Sequence, residues 1–215
     1  MPGLGTTFGR GGATTAQQDL ANADAILIIG SSMAEAHPVG FRWVVKARER
    51  GATVIHVDPR FSRTSALSDI WVPLRAGTDI VFVGALINFV LARDRIFREY
   101  VVAYTNAATI ISSDFKDTED LDGLFSGWNQ KQGAYDPASW AYAGRESDGR
   151  ITGHSPREGG YAQESGGAHG SKRTSRPLRD ETLQDPRCVY QLLKRHFARY
   201  TPEMVEEVCG IPRAA

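Results

Sequence analysis

The sequence predicts an α/β fold, a parallel sheet flanked by helices, and three observations carry that prediction. Ala25-Ile26-Leu27-Ile28-Ile29 is a continuous β-branched-rich run bounded by Asp24 and Gly30, the pattern of a strand buried on both faces. Pro38 stands at a helix start, and the segment to about Arg50 turns Phe41, Val44 and Val45 to one side before Gly51 stops it. Thr53-Val54-Ile55-His56-Val57 is a second strand. A strand, a helix and a strand with short joints make a βαβ unit, whose strands run parallel.

The remaining elements follow in order. Residues 1–14 form a glycine-rich loop, and residues 15–23 a short helix with Thr14 or Thr15 as N-cap. Asp58-Pro59 ends the second strand and a polar segment runs to Asp69. Ile70-Trp71-Val72-Pro73 is a short third strand, with Pro73 marking an end or an edge. Gly77-Thr78-Asp79 opens a helix that is apolar from Ile80 to Leu91, so it should be packed on both sides. A further helix covers about 95–104. The α/β region thus occupies residues 1–112. Residues 113–185 are irregular and dotted with aromatics, with a flexible insertion at about 146–176 rich in Gly, Ser and charge. Residues 186–215 close the chain with two helices, 186–199 and 202–208, the second stopped by Gly210 and Pro212.

Bulk properties exclude several classes. The 215 residues carry 25 basic and 25 acidic side chains, so no basic excess marks a nucleic-acid binder. Cys188 and Cys209 are far apart and lack metal-ligand spacing; they read as two ordinary thiols, and neither a zinc site nor an iron–sulfur cluster can be built from this chain alone. The apolar run Ile80–Leu91 is too short to span a bilayer, and the first residues have no signal-peptide character.

In a Rossmann-like parallel sheet, ligands sit at the carboxyl ends of the strands. Three segments lie there: Gly30-Ser31-Ser32-Met33-Ala34-Glu35-Ala36-His37, Asp58-Pro59-Arg60-Phe61-Ser62-Arg63-Thr64, and Arg75-Ala76-Gly77-Thr78-Asp79. Gly30 allows close approach of backbone to a pyrophosphate, and Ser31 and Ser32 offer hydroxyl and amide donors. Asp58 is placed to accept from ribose hydroxyls. Arg60 and Arg63 can neutralise phosphate. Asp79 can accept both N1–H and the 2-amino group of a guanine. The candidate ligand residues are therefore Gly30, Ser31, Ser32, Met33, Glu35, His37, Asp58, Pro59, Arg60, Gly77, Thr78 and Asp79. Each also has a plainer reading: a simple turn at Gly30, a strand terminator at Asp58-Pro59, a helix cap at Thr78 or Asp79. The G-x-G-x-x-G fingerprint is absent. His37, before a proline, and His56, inside a strand, read as structural rather than catalytic, and no catalytic or metal-ligating set is assigned.

The strings Gly30 to Trp43, Val57 to Thr64, Leu74 to Ile80 and Thr7 to Gly11 resemble the formate dehydrogenase branch of the molybdopterin oxidoreductase family. Asp122 to Gly127, Arg179 to Leu183 and Pro186 to Val189 resemble the respiratory, exported type. The resemblance covers nearly all the chain outside about 146–176. It implies that this region is part of a larger multidomain fold. That fold holds molybdenum or tungsten between two molybdopterin guanine dinucleotides (the bis form), and the three loops wrap one of them. It further implies a parent that oxidises formate to carbon dioxide. That parent carries a [4Fe-4S] cluster, works with an iron–sulfur subunit and a membrane cytochrome subunit, and lies in the periplasm or cell envelope. Many relatives have Asn where Ser32 stands, and serine reaches less far. The cluster cysteines and the selenocysteine or cysteine that ligates the metal lie, by the same resemblance, before the position of Met1. The expectation is an internal fragment, inactive alone, lying downstream of a misread selenocysteine codon or, alternatively, left by a genuine truncation. Two other readings stay open from the residues themselves: a sirtuin-like or related NAD-binding domain, and a non-catalytic remnant.

Overall fold

A computed structural model describes residues 3–5, 9, 12, 15–135, 142–144 and 177–213. The flexible insertion expected at 146–176 lies outside the described residues. The chain divides into two compact units: Ala13–Phe89 with Tyr200–Ala215, and Met1–Gly12 with Val90–Arg199.

The first unit holds the sheet. Strands β1 (Ala25–Ile29), β2 (Thr53–Val57) and β3 (Ile70–Val72) lie in that order, and both pairings are parallel. Leu27 pairs with Ile55, which pairs with Ile70. The predicted α/β class is the observed one. A one-turn helix, α1 (Met33–Ala36), leads into α2 (Pro38–Glu49), which begins on Pro38. Helix α2 ends because Gly51 turns to φ +99°, letting the Gly51 and Ala52 N–H groups bond back to Arg48 and Ala47 carbonyls. The face of α2 that carries Phe41, Val44 and Ala47 packs on Ile26, Ile28 and Val54. This core lies along β1 and β2, and Met33 and Ala34, from the segment after β1, pack against it.

Two expectations about burial need correction. Strand β1 alternates rather than being covered on both faces: Leu27 is 46% exposed and Ile29 38%. The second face has its own small core of Val57, Leu74, Cys209 and Ile211, centred on β2 and not reaching over β1. Likewise α4 (Asp79–Ala92) is not packed all round. Val81 and Phe82 join that second core, while Ile80 is 76% exposed and Leu86 and Phe89 remain open. The short helix predicted at 15–23 is a 3-10 segment, Gln17–Asn22, whose N-cap is Ala16 with no side-chain bond; Thr15 does not cap it, and Thr14 lies outside the described residues. An additional one-turn helix, α3 (Arg63–Ala66), follows β2 inside the segment read as merely polar. At the chain end, α7 (Pro202–Met204) continues as a π-turn over Val205–Cys209 and stops at Gly210, φ +75°.

The second unit is built differently. Helix α5 is Arg98–Tyr104 and α6 is Val189–Phe197, each beginning later than the sequence pattern suggested. For α6 the cause is local: Asp185 accepts from the Arg187 N–H and the Cys188 N–H bonds to the Asp185 carbonyl, so Pro186 and Arg187 belong to a turn. Isolated antiparallel bridges join Thr109 to Arg179, Ile110 to Cys188 and Ile111 to Tyr142. A small hairpin, β4 (Trp128–Asn129) with β5 (Ala134–Tyr135), packs Tyr135 between Phe125 and Trp128. Both cysteines are buried and free, and burial pushes the Cys188 thiol upward.

Candidate functional site

The carboxyl edge of the sheet gathers the predicted loops. Past β1, the Gly30 N–H extends the ladder to the Val57 carbonyl, and Gly30 itself takes φ +62°. That left-handed turn is why glycine stands there. The chain then rises off the sheet, and no described residue accepts from the N–H of Ser31, Ser32 or Met33. The next amide, Ala34, donates to the buried Thr64 Oγ1 at 3.0 Å. Ser32 Oγ donates to Glu35 Oε2 at 2.5 Å. Glu35 also lies 3.8 Å from Arg60 Nη2 and 3.7 Å from Arg63 Nε. These exposed pairs contribute little stability, but they hold two arginines over the first loop. His37 is exposed and serves through its backbone, joining α1 to α2 and accepting from the Phe41 N–H.

Past β2, Asp58 turns its Oδ1 to the Arg60 N–H at 2.8 Å, an Asx-turn through Pro59. The Trp71 indole donates to the Asp58 carbonyl, and Phe61 sits edge-on to Trp71 at 5.1 Å. Ser62 and Ser65 form a reciprocal capping box that starts α3. Its Ser65 Oγ lies 2.8 Å from Nδ1 of His56, and His56 Nε2 lies 3.1 Å from the Ser31 carbonyl. His56 is fully buried. It satisfies both ring nitrogens by bridging the first and second loops, in keeping with its reading as a structural histidine. Its bridging role was not foreseen. The available signal was a polar residue at an inward position of an apolar strand, followed by a Ser-x-x-Ser spacing.

Past β3, the Arg75 guanidinium donates to the Glu207 and Val208 carbonyls, and the Arg75 N–H to the Cys209 carbonyl. Gly77 takes φ +84°. Thr78 Oγ1 bonds back to the Arg75 carbonyl, and the Thr78 carbonyl accepts the first amides of α4. Thr78 is therefore the residue that starts the helix, and Asp79 is left exposed with no described residue donating to its carboxylate. Thus the structure joins Gly30–Glu35 directly to Asp58–Thr64. Among the described residues no hydrogen bond or ion pair ties Gly77, Thr78 or Asp79 to those two loops; they follow β3 and are anchored on the C-terminal turn.

Two other features lie elsewhere. A hollow lined by Val45, Arg48, Gly51, Ala52, Leu67 and Asp69 opens at the amino ends of the strands, away from the loops. There the Val54 N–H and then Arg48 hold the Asp69 carboxyl below its usual range. In the other unit, Asp117, Glu119 and His196 bring ligand atoms within 4.8 Å of one another. The Arg199 guanidinium contacts Glu119 and lies 3.1 Å from His196 Nδ1, so a side-chain cation already sits against this cluster.

A family model described as molybdopterin oxidoreductase matches residues 5–119. The chain belongs to the molybdopterin oxidoreductase family. It is 42% identical over 212 residues to the nitrate-inducible formate dehydrogenase major subunit of Escherichia coli, covering 98% of this chain and 18% of that protein. It is 42% identical over 208 residues to formate dehydrogenase 2 subunit alpha (cytochrome c-553) of Nitratidesulfovibrio vulgaris, covering 97% and 18%. The formate dehydrogenase-O major subunit of Escherichia coli is 42% identical over 213 residues, 99% of this chain and 18% of that one. The chain therefore spans less than a fifth of the length of these relatives. Among solved structures, acetylene hydratase from Pelobacter acetylenicus matches 92% of this chain and 18% of its own, with TM-score 0.45 and 16% identity. No helix among the described residues is long and apolar enough to cross a membrane.

Proposed function

We propose that this chain supplies one guanine-dinucleotide cradle to the large subunit of a formate dehydrogenase, an oxidoreductase that converts formate to carbon dioxide. The observation that carries this reading is the 42% identity to formate dehydrogenase major subunits over 98% of the chain. The donor set fits the group. Three consecutive amides without a described acceptor, at Ser31, Ser32 and Met33, suit a pyrophosphate. Arg60 and Arg63 add positive charge beside them. Asp58 keeps Oδ2 clear of its own turn for a ribose hydroxyl. The Asp79 carboxylate, not used as a cap, suits the paired donors of guanine. In this role Gly30, Met33, Glu35, His37, Pro59, Gly77 and Thr78 shape the backbone around the ligand, and Ser32 substitutes a shorter polar arm for the Asn of many relatives.

When bound, molybdopterin would supply the metal centre, molybdenum or tungsten, that takes up the electrons of formate. The residues of this chain bind, orient and shield its nucleotide arm; none acts on formate. The remainder of the large subunit would carry the metal-ligating residue and the [4Fe-4S] cluster. Electrons would leave to an iron–sulfur subunit and a membrane cytochrome subunit, at the cell envelope.

Guanosine diphosphate should raise the thermal unfolding temperature of the chain, and NAD should not; the reverse result would replace this reading with an NAD-binding one. Asp79→Ala should weaken guanosine diphosphate more than adenosine diphosphate by about 1.5–3 kcal/mol, roughly ten-fold or more. Equal losses for the two nucleotides would reduce Asp79 to a residue of the helix start.

A further inference from the structure

We propose that His56 is a positioning residue for this nucleotide site: by holding the Ser31 carbonyl, it aims the Ser32 amide outward at the ligand phosphate. The inference deepens the dinucleotide reading and rests on it. Strand β2 turns Val54 and His56 to the same covered face, and a fully buried imidazole must find partners for both nitrogens. Ser65 Oγ already accepts the Ser62 N–H at 2.9 Å. Its one hydrogen is then free for His56 Nδ1, 2.8 Å away. A carbonyl cannot donate, so the 3.1 Å contact with the Ser31 carbonyl requires Nε2 to be the donor there, and the Ser65 hydroxyl adapts to Nδ1 on the other side. A member of the α3 capping box thus holds the far side of the ring that grips the first loop.

The consequence follows from peptide geometry. In a planar trans peptide the C=O and the following N–H point in opposite directions. With the Ser31 carbonyl drawn inward to the ring, the Ser32 N–H is turned away from the interior, and no described residue accepts it. Two residues later, the Ala34 N–H is tied to Thr64 Oγ1, also on α3. Ser32 and Met33 are thus stretched between two tethers to one small helix. Asp58 Oδ2, 3.9 Å from Nε2, faces the same ring from beyond hydrogen-bond range and remains available to the ligand.

The test titrates guanosine diphosphate and inorganic pyrophosphate into the full chain by calorimetry, with thermal unfolding measured on every variant. Glutamine places an amide donor near the Nε2 position, whereas asparagine reaches only the Nδ1 position. His56→Gln should bind both probes within about three-fold of the unsubstituted chain, while His56→Asn should lose roughly ten-fold or more. A purely packing role would lower the unfolding temperature and the affinity of both variants together, and that result overturns the proposal. Unchanged affinity in His56→Asn overturns it as well, while leaving the dinucleotide reading intact. If His56→Asn does not fold, Ser65→Ala decides: it removes the anchor on Nδ1 and should cost about three-fold, and no loss would overturn the proposal. An unsubstituted chain that binds neither probe sinks the dinucleotide reading itself, and this inference with it.

Discussion

Two turns in this molecule meet the same demand in opposite ways. At Asp180, in the unit without the parallel sheet, one carboxylate accepts from the N–H groups of Thr182, Gln184 and Asp185 and from the Thr182 hydroxyl. At Ser31–Met33, in the unit with it, a comparable row of amides has no described acceptor. A row of N–H groups creates a concave positive site that favours an anion. The first turn fills that site with its own side chain and is finished as a piece of structure. The second is held in shape from behind, by His56 and Thr64, and presents its donors outward. On the proposed reading, the turn held from behind with its amides open is the one that receives the ligand phosphate.

The contrast can be attacked at its supports. Phe41→Ala empties a buried site where α2 packs beneath the open turn. It should cost about 3–5 kcal/mol by urea denaturation, and guanosine diphosphate should recover part of that loss by binding the folded form. A cost below about 1 kcal/mol would mean that the turn does not depend on this core.

The filled turn should be sensitive to acid. The Thr182 hydroxyl, the Asp185 amide and their neighbours hold the Asp180 carboxyl down at about 2, below the ordinary 3.8. A carboxyl depressed in the folded state stabilises above its unfolded pKa and ceases to do so as pH falls through the folded value. Hydrogen exchange at Thr182, Gln184 and Asp185 should therefore be slow above about pH 4 and lose protection between about 4 and 2. At neutral pH, Asp180→Ala should speed it by roughly ten-fold or more. Unchanged exchange in that variant would show that the backbone holds the turn without its anion.

The mildest change sharpens the other side. Gly30→Ala adds a methyl that meets no atom within 4 Å, so only the backbone strain of φ +62° opposes it. It should cost about 1 kcal/mol in stability, the lower end for a left-handed residue. A much larger loss of guanosine diphosphate affinity than of stability would place the ligand against this glycine. Equal small losses would leave Gly30 as a turn residue only.

Much of the sheet was legible because local chemistry and tertiary role coincide there. The apolar run at 25–29, the Pro38 start, the Gly51 stop and the Thr53–Val57 run each specify an element from their own residues, and each falls where it was predicted. Burial was less legible. Leu27, Ile29, Ile80 and Phe89 have the composition of covered residues but are partly open, because hydrophobicity reports a tendency to be covered and not what is near enough to do it. In the other unit, the paired bridges at 109–111 and the Asp180 N–H that bonds to the Ala108 carbonyl depend on partners tens of residues away, which no local pattern records.

By itself, then, the sequence determined the order and type of the sheet elements, the family, and which residues stand at the strand ends, since all of these are carried by short contiguous strings. Only the tertiary structure decided that His56 would meet Ser31 from 25 positions away and that Ala34 would find Thr64 across 30. It also tied Arg75 to the chain end some 132 residues on. Hydrogen bonds need donors and acceptors within about 3 Å, and a parallel sheet brings distant strand ends that close only after its strands have been laid side by side.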